Sequence, residues 1–170
     1  MTENDRIDAI QAQWATERPD LDTGGFGVVG RLLLLGKLLE RRVGQALEPH
    51  ELALSSFDVL ATLRRQGAPY RLTPTELSRT ILLTPGAMTN RIDRLEAAGL
   101  VRREAQPGDR RGVRVSLTEQ GLATVDSALE ARFDEATSAV ANLPERDRTS
   151  LERILRRLLA ELEGELPPTS

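Results

Sequence analysis

The 170-residue chain contains no cysteine and only one histidine, His50. The first absence removes disulfides, thiolate metal ligands and thiol redox chemistry, and the second leaves no zinc site of nitrogen and sulfur donors. Aromatic residues are almost as scarce: three Phe, one Tyr and one Trp. Long apolar runs are missing too. The longest, "LLLLGKLL" at 32–39, is interrupted by Gly36 and Lys37 and is too short to cross a bilayer. No signal-peptide pattern precedes it, so the expectation is a cytoplasmic protein with no membrane partner. A Cys- or His-based nucleophile pair, a phosphate loop in context and a metal cluster are all lacking. That argues against an enzyme, and neither a metal nor a cofactor is expected.

What is present is an uneven distribution of charge. The chain carries a net charge of −3, yet Thr89 to Arg114 holds seven arginines and only four acids. The remainder has 16 basic and 22 acidic residues. One short basic block on an acidic chain points to a local anionic partner, and double-stranded DNA is the natural one.

Hydrophobic spacing places the block in a mainly helical fold. Ile7, Ile10 and Trp14 have helical spacing over 4–17 before Pro19, and "RPDLDTGG" reads as a linker. Residues 26–48 are leucine-rich over most of a helical circumference. Three helix starts follow. "SSFD" at 55–58 has the form of a capping box with Asp58 as its third helical residue. "TPTE" at 73–76 offers Thr73 as N-cap and Pro74 at the first position, and "TPGA" at 84–87 repeats that opening with Thr84. The last two helices, closely spaced, form a helix-turn-helix pattern. "LVRRE", "AQPGDRRG" and "VRVSLT" then make a β-hairpin with a basic tip, and two long amphipathic helices close the chain.

The predicted fold class is therefore mainly α with a small β-hairpin wing. Its parts are an extension over 1–24, a helical dimerisation region over 25–54 and 119–166, and a winged helix-turn-helix over 55–118. The surplus apolar faces of the dimerisation region call for a second copy of the chain. "GFGVVG" at 25–30 matches the dinucleotide fingerprint, but no buried strand precedes it and no βαβ unit follows. Its glycines are expected to loosen the junction after the extension.

The helix beginning at Pro85 carries Met88, Ile92, Leu95 and Gly99 on one face. Gly86, Ala87, Asn90 and Arg94 fall opposite, a small and polar surface suited to a major groove. Thr89 is counted with this DNA-facing group. Asn90 can read adenine, and Arg94 can reach guanine or phosphate. Thr73 and Thr84 stand where helix N-termini meet phosphates, and Arg110 and Arg111 on the hairpin tip reach the flanking minor groove or backbone. A winged helix used only for protein contacts is the competing reading.

The stretch "LTPTELSRTILLTPGAMTNRIDRLEAAGLVRREAQPGDRRGVRVSLTEQG" resembles the DNA-binding core of the MarR family of bacterial transcription regulators. Asp109 with Arg110 or Arg111 matches the family's Asp-x-Arg wing. The resemblance implies a homodimer on a pseudo-palindromic operator, usually as a repressor. The N-terminal extension with Trp14 is similar to the family's urate-responsive branch. That similarity implies a ligand site of Trp14, Asp58, Arg91 and Arg103 and release from DNA by a small aromatic anion such as urate; a phenolic acid is the alternative effector. Local readings stand beside it: Trp14 as an anchor, Asp58 as a cap, and the two arginines as phosphate contacts. Arg91 lies about 60° from the centre of the buried face of its helix, and Arg103 shares strand parity with Val101. Two inward arginines near one aspartate would call for a compensating anion.

Overall fold

A carboxylate and an arginine organise the start of the chain. In the computed structural model, which describes residues 4–106 and 109–164, helix α1 spans Arg6–Glu17 and α2 spans Gly24–Leu47. Asp5 caps α1, accepting from the N–H groups of Ile7 and Asp8, while Asp8 accepts from the N–H of Asp5. Arg31 of α2 donates to Asp5 at 2.7 Å and to Asp8 at 2.6 Å, and its guanidinium holds the Asp5 carboxyl below the usual range. Gln11 donates to the carbonyl of Thr23, and Ile7 is buried.

The glycines of "GFGVVG" do not loosen a junction. They lie within α2, where Gly27 and Gly30 form a notch for α1. A Cβ on Gly30 would sit 3.3 Å from Cδ1 of Ile7, and one on Gly27 would sit 2.8 Å from Nε2 of Gln11. The glycine spacing serves helix-on-helix contact, where the absence of a side chain lets backbones approach.

The chain divides into two compact units, Met1–Arg42 and Val43–Ser170. In the second, the end of α2 and a 3-10 turn at Glu48–His50 lead to α3 (Leu54–Arg65), β1 (Arg71–Leu72), α4 (Pro74–Ile81) and α5 (Pro85–Ala97). Strands β2 (Val101–Gln106) and β3 (Asp109–Leu117) follow, then α6 (Glu119–Ala139) and α7 (Glu145–Gly164). The core is filled by Phe57, Leu60 and Leu63 of α3, Leu77 of α4, Met88, Ile92 and Leu95 of α5, Val101 and Val115 of the sheet, and Val125 of α6. Arg64 of α3 donates to Asp126 of α6 at 2.6 Å and stacks over the Tyr70 ring, tying the two helices at the edge of this core.

The capping boxes divide two ways. Thr73 accepts from the N–H of Glu76 at 3.2 Å, and Glu76 accepts from the N–H of Thr73 at 2.7 Å. Thr84 caps α5 through the N–H of Ala87. The "SSFD" box does not form. Extended Ala53 is the N-cap, so α3 starts at Leu54 and Asp58 falls in the second turn, out of reach of the free amides. The sheet has the order β1-β3-β2 and is antiparallel throughout, with Leu72 opposite Val115 and Arg103 opposite Val115 from the other side. The two-residue β1, absent from the sequence reading, is too short for an alternating pattern to be visible.

The parts meet at Thr118. Its N–H donates to the carbonyl of Leu100, its hydroxyl donates to the carbonyl of Gly99 at 2.7 Å, and the same oxygen accepts from the N–H of Gly121 at 2.9 Å. A Cβ on Gly121 would lie 1.9 Å from the Leu100 oxygen, a backbone atom fixed by the turn after α5. Gly121→Ala is therefore expected to destabilise the fold by about 3 kcal/mol or more, read as a lower urea midpoint with an unchanged m-value.

Candidate nucleic-acid interface

Helix α5 starts sharply because Thr84 caps it and Pro85 sets its first backbone angle. It buries Met88, Ile92 and Leu95, which leaves the opposite side to solvent. Asn90 and Arg94 are exposed there, and open space surrounds the position of a Cβ on Gly86. Ala87 is half-buried at the margin. The hydroxyl of exposed Thr89 donates to the carbonyl of Pro85 at 3.0 Å. Thr73 is more committed than the sequence suggests, since its hydroxyl donates to Glu76 at 2.8 Å and also accepts from that residue's N–H. The side chains of Arg110 and Arg111 lie outside the described residues, although strand β3 runs through both positions.

The sheet adds basic residues that the sequence reading left aside. Arg71 and Arg102 flank Ser116 from the two outer strands, and Arg114 shares their face by strand parity. Arg102 donates to Glu104, which also accepts from the hydroxyl of Ser116 at 3.1 Å. Arg71 could have been found only with its pairing to β3, which two residues of sequence do not reveal.

The four residues expected at an effector site divide between surroundings. Trp14 belongs to the first unit and is 47% exposed. Asp58, Arg91 and Arg103 belong to the second. Asp58 is half-buried on α3, and burial pushes its carboxyl above the ordinary value, against the pull of Arg91, Arg132 and Arg65. Arg132 and Arg65 are the cations that sequence reasoning missed.

Arg103 is not among the cations acting on Asp58. Its guanidinium donates to Asp93 and Glu96 of α5, and its backbone N–H donates to Glu96 Oε1 at 3.0 Å. Around α5, Arg91 lies about 140° from Glu96 and about 160° from Asp93, so the two arginines serve opposite flanks of one helix. The expected pair of uncompensated arginines around one aspartate is thus replaced by two separate arrangements. Two acids within reach of its strand already balance Arg103.

Helix α4, the turn at Leu82, helix α5 and the β2–β3 hairpin make a winged helix-turn-helix. A profile of the MarR family matches residues 50–112. The chain is 35% identical over 152 residues to the HTH-type transcriptional regulator PecS of Dickeya dadantii, covering 89% of this chain and 92% of that protein. A cysteine-to-serine mutant of E. coli MarR, solved with operator DNA, has a TM-score of 0.70 at 28% identity over 86% of this chain and 97% of its own. Sco3205 from Streptomyces coelicolor, a MarR family regulator solved with DNA, has a TM-score of 0.76 at 27% identity, covering 87% and 91%. The chain belongs to the MarR family of transcriptional regulators. No described helix is long and apolar enough to cross a membrane.

Asp58 offers a direct check of its environment. Its raised pKa means that ionisation costs the folded state more than the unfolded one, so this contribution favours folding at low pH and is lost as pH rises through the folded value. Asp58→Asn is expected to match or exceed the wild-type melting temperature at pH 7. The difference should vanish in melts recorded below the carboxylate's ordinary range.

Proposed function

We propose that the protein is a ligand-responsive repressor that binds a pseudo-palindromic operator as a homodimer and leaves it when a small aromatic anion such as urate binds. The observation that carries the DNA reading is the exposed face of α5. Asn90 and Arg94 stand clear opposite the buried Met88, Ile92 and Leu95, with a basic wing attached. Major-groove reading needs such a helix, with small residues at its N-terminal end and hydrogen-bonding side chains behind them. Thr84, Gly86, Ala87 and Thr89 surround the point of entry, Thr73 stands at the start of the preceding helix, and Arg110 and Arg111 take the backbone or minor groove beside the site.

A second copy is supported by apolar surface without cover. Phe133 of α6 is 66% exposed, and Leu151, Ile154, Leu155 and Leu159 line an exposed stripe on α7. Burying such faces in a symmetric pair would set two α5 helices to read half-sites about one helical turn, roughly 10 bp, apart.

The effector reading rests on Asp58. A half-buried carboxylate, with no direct ion pair among the described residues and under the pull of Arg91, Arg132 and Arg65, attracts α5 by charge across the α3–α5 contact. An anion drawn to Arg91 would compete with that carboxylate and change the seat of the reading helix. The urate-responsive branch implies Trp14 and Arg103 as well, but Arg103 is bound to Asp93 and Glu96 on the opposite flank of α5 from Arg91.

The DNA reading separates two classes of contact. Asn90→Ala should cost about 1–3 kcal/mol against the specific duplex and little against random sequence. Arg110→Ala with Arg111→Ala should weaken both and flatten the dependence on salt. Equal proportional losses in titrations of the two duplexes would contradict this division.

The effector reading is tested by a mobility shift with and without urate, paired with emission from Trp14, the chain's single tryptophan. Urate is expected to release the duplex and quench the emission, and Asp58→Asn is expected to alter the release. Calorimetry showing no urate binding at millimolar concentration would remove urate as the effector and leave the DNA reading intact.

A further inference from the structure

Asp93 is badly placed for a helix that approaches DNA. It lies about 60° around α5 from Asn90, on the exposed side, with its side chain 55% exposed. Glu96 follows three residues later on the same flank. Two carboxylates beside a surface that must meet phosphates weaken association through repulsion, which salt reduces without abolishing at short range. Both acids are bound by one cation. Arg103, at the root of the wing, donates one guanidinium nitrogen to Asp93 and another to Glu96, and its side chain is 30% exposed. Its backbone N–H also bonds Glu96, so the carboxylate is held from two directions.

We propose that Arg103 masks Asp93 and Glu96 from DNA, so that loss of its ion pairs weakens DNA binding by unmasking them. The proposal rests on the reading of α5 as the DNA-facing helix. It changes what Arg103 does. A side chain pointing away from the duplex acts on it through the two acids it neutralises, and is a positioning residue in that sense. Without Arg103 the group changes from a net charge of −1 to −2, beside Asn90 and Arg94. The Asp58–Arg91 pair acts on the other flank of α5, so the mask operates independently of it.

The test uses the full-length protein, a duplex enriched by the wild type from a random-sequence pool, and an unselected random duplex. Arg103→Ala is expected to lose about tenfold in affinity for both duplexes at low salt, with the loss shrinking as salt rises. Adding Asp93→Asn and Glu96→Gln to Arg103→Ala should restore affinity to within about threefold of the wild type, although the ion pairs remain absent. A triple variant as weak as Arg103→Ala, or a loss independent of salt, would overturn the mask and assign the effect to shape alone. If Arg103→Ala fails to fold by circular dichroism, the Asp93→Asn, Glu96→Gln double variant decides. With Arg103 unopposed, it should bind both duplexes more tightly and with a steeper salt dependence, and unchanged or weaker binding would overturn the proposal. Failure of the wild type to enrich any duplex would overturn the DNA reading and the mask together, an outcome distinct from failure of the variants.

Discussion

At Gly121 the first turn of α6 runs so close to the Leu100 carbonyl that a side chain of any size would collide with it. Three elements converge on that point. Helix α5 ends just before it at Ala97, β2 leaves it at Val101, and α6 begins there under the cap of Thr118. The Thr118 hydroxyl is shared between the α6 amide it caps and the Gly99 carbonyl it reaches, so one oxygen fixes both the helix start and the turn. The direction of the wing relative to α5 is therefore set in backbone geometry, which side-chain rotamers cannot relax.

Charge placement refines what the backbone fixes. Helix α5 meets ionic neighbours on two flanks. On one, Arg91 faces Asp58, a carboxylate whose burial works against its own ionisation. On the other, Asp93 and Glu96 are satisfied by Arg103. The first relation is purely coulombic and opposed by burial, and the second consists of direct ion pairs of one arginine with two acids. A helix held unequally on its two sides has a preferred direction in which to give way.

The helix-turn-helix was legible because its punctuation is local. Thr-Pro openings at Thr73 and Thr84 carry their own capping partners, and the stripe of Met88, Ile92 and Leu95 names its buried face. The "SSFD" box misled because Ala53, two residues before the motif, adopted the cap conformation without any side-chain bond. "GFGVVG" misled in another way. Its glycines answer to Ile7 and Gln11, roughly twenty residues away, and no local rule exposes such a partner. Arg103 had the correct strand parity, yet parity gives a direction and not the acids waiting in it. Arg132 went unseen because its relation to Asp58 exists only once α3 and α6 have packed, whereas Arg65 sits two turns along α3 from Asp58 and was open to a helical-spacing argument.

The acids bound to Arg103 also bear on how a regulator of this build could change the sequence it reads. Residues 88, 92 and 95 are committed to the core, 91 to the Asp58 flank, and 93 and 96 to the root of the wing. Between the ends of the helix, the exposed positions 86, 89, 90 and 94 stand outside those packing and charge relations, with half-buried 87 at their margin. On the reading proposed for α5, new specificity would have to arise within that narrow strip or through the shape of the DNA. A drift in operator sequence would then be followed by very few substitutions, concentrated on less than half of one short helix.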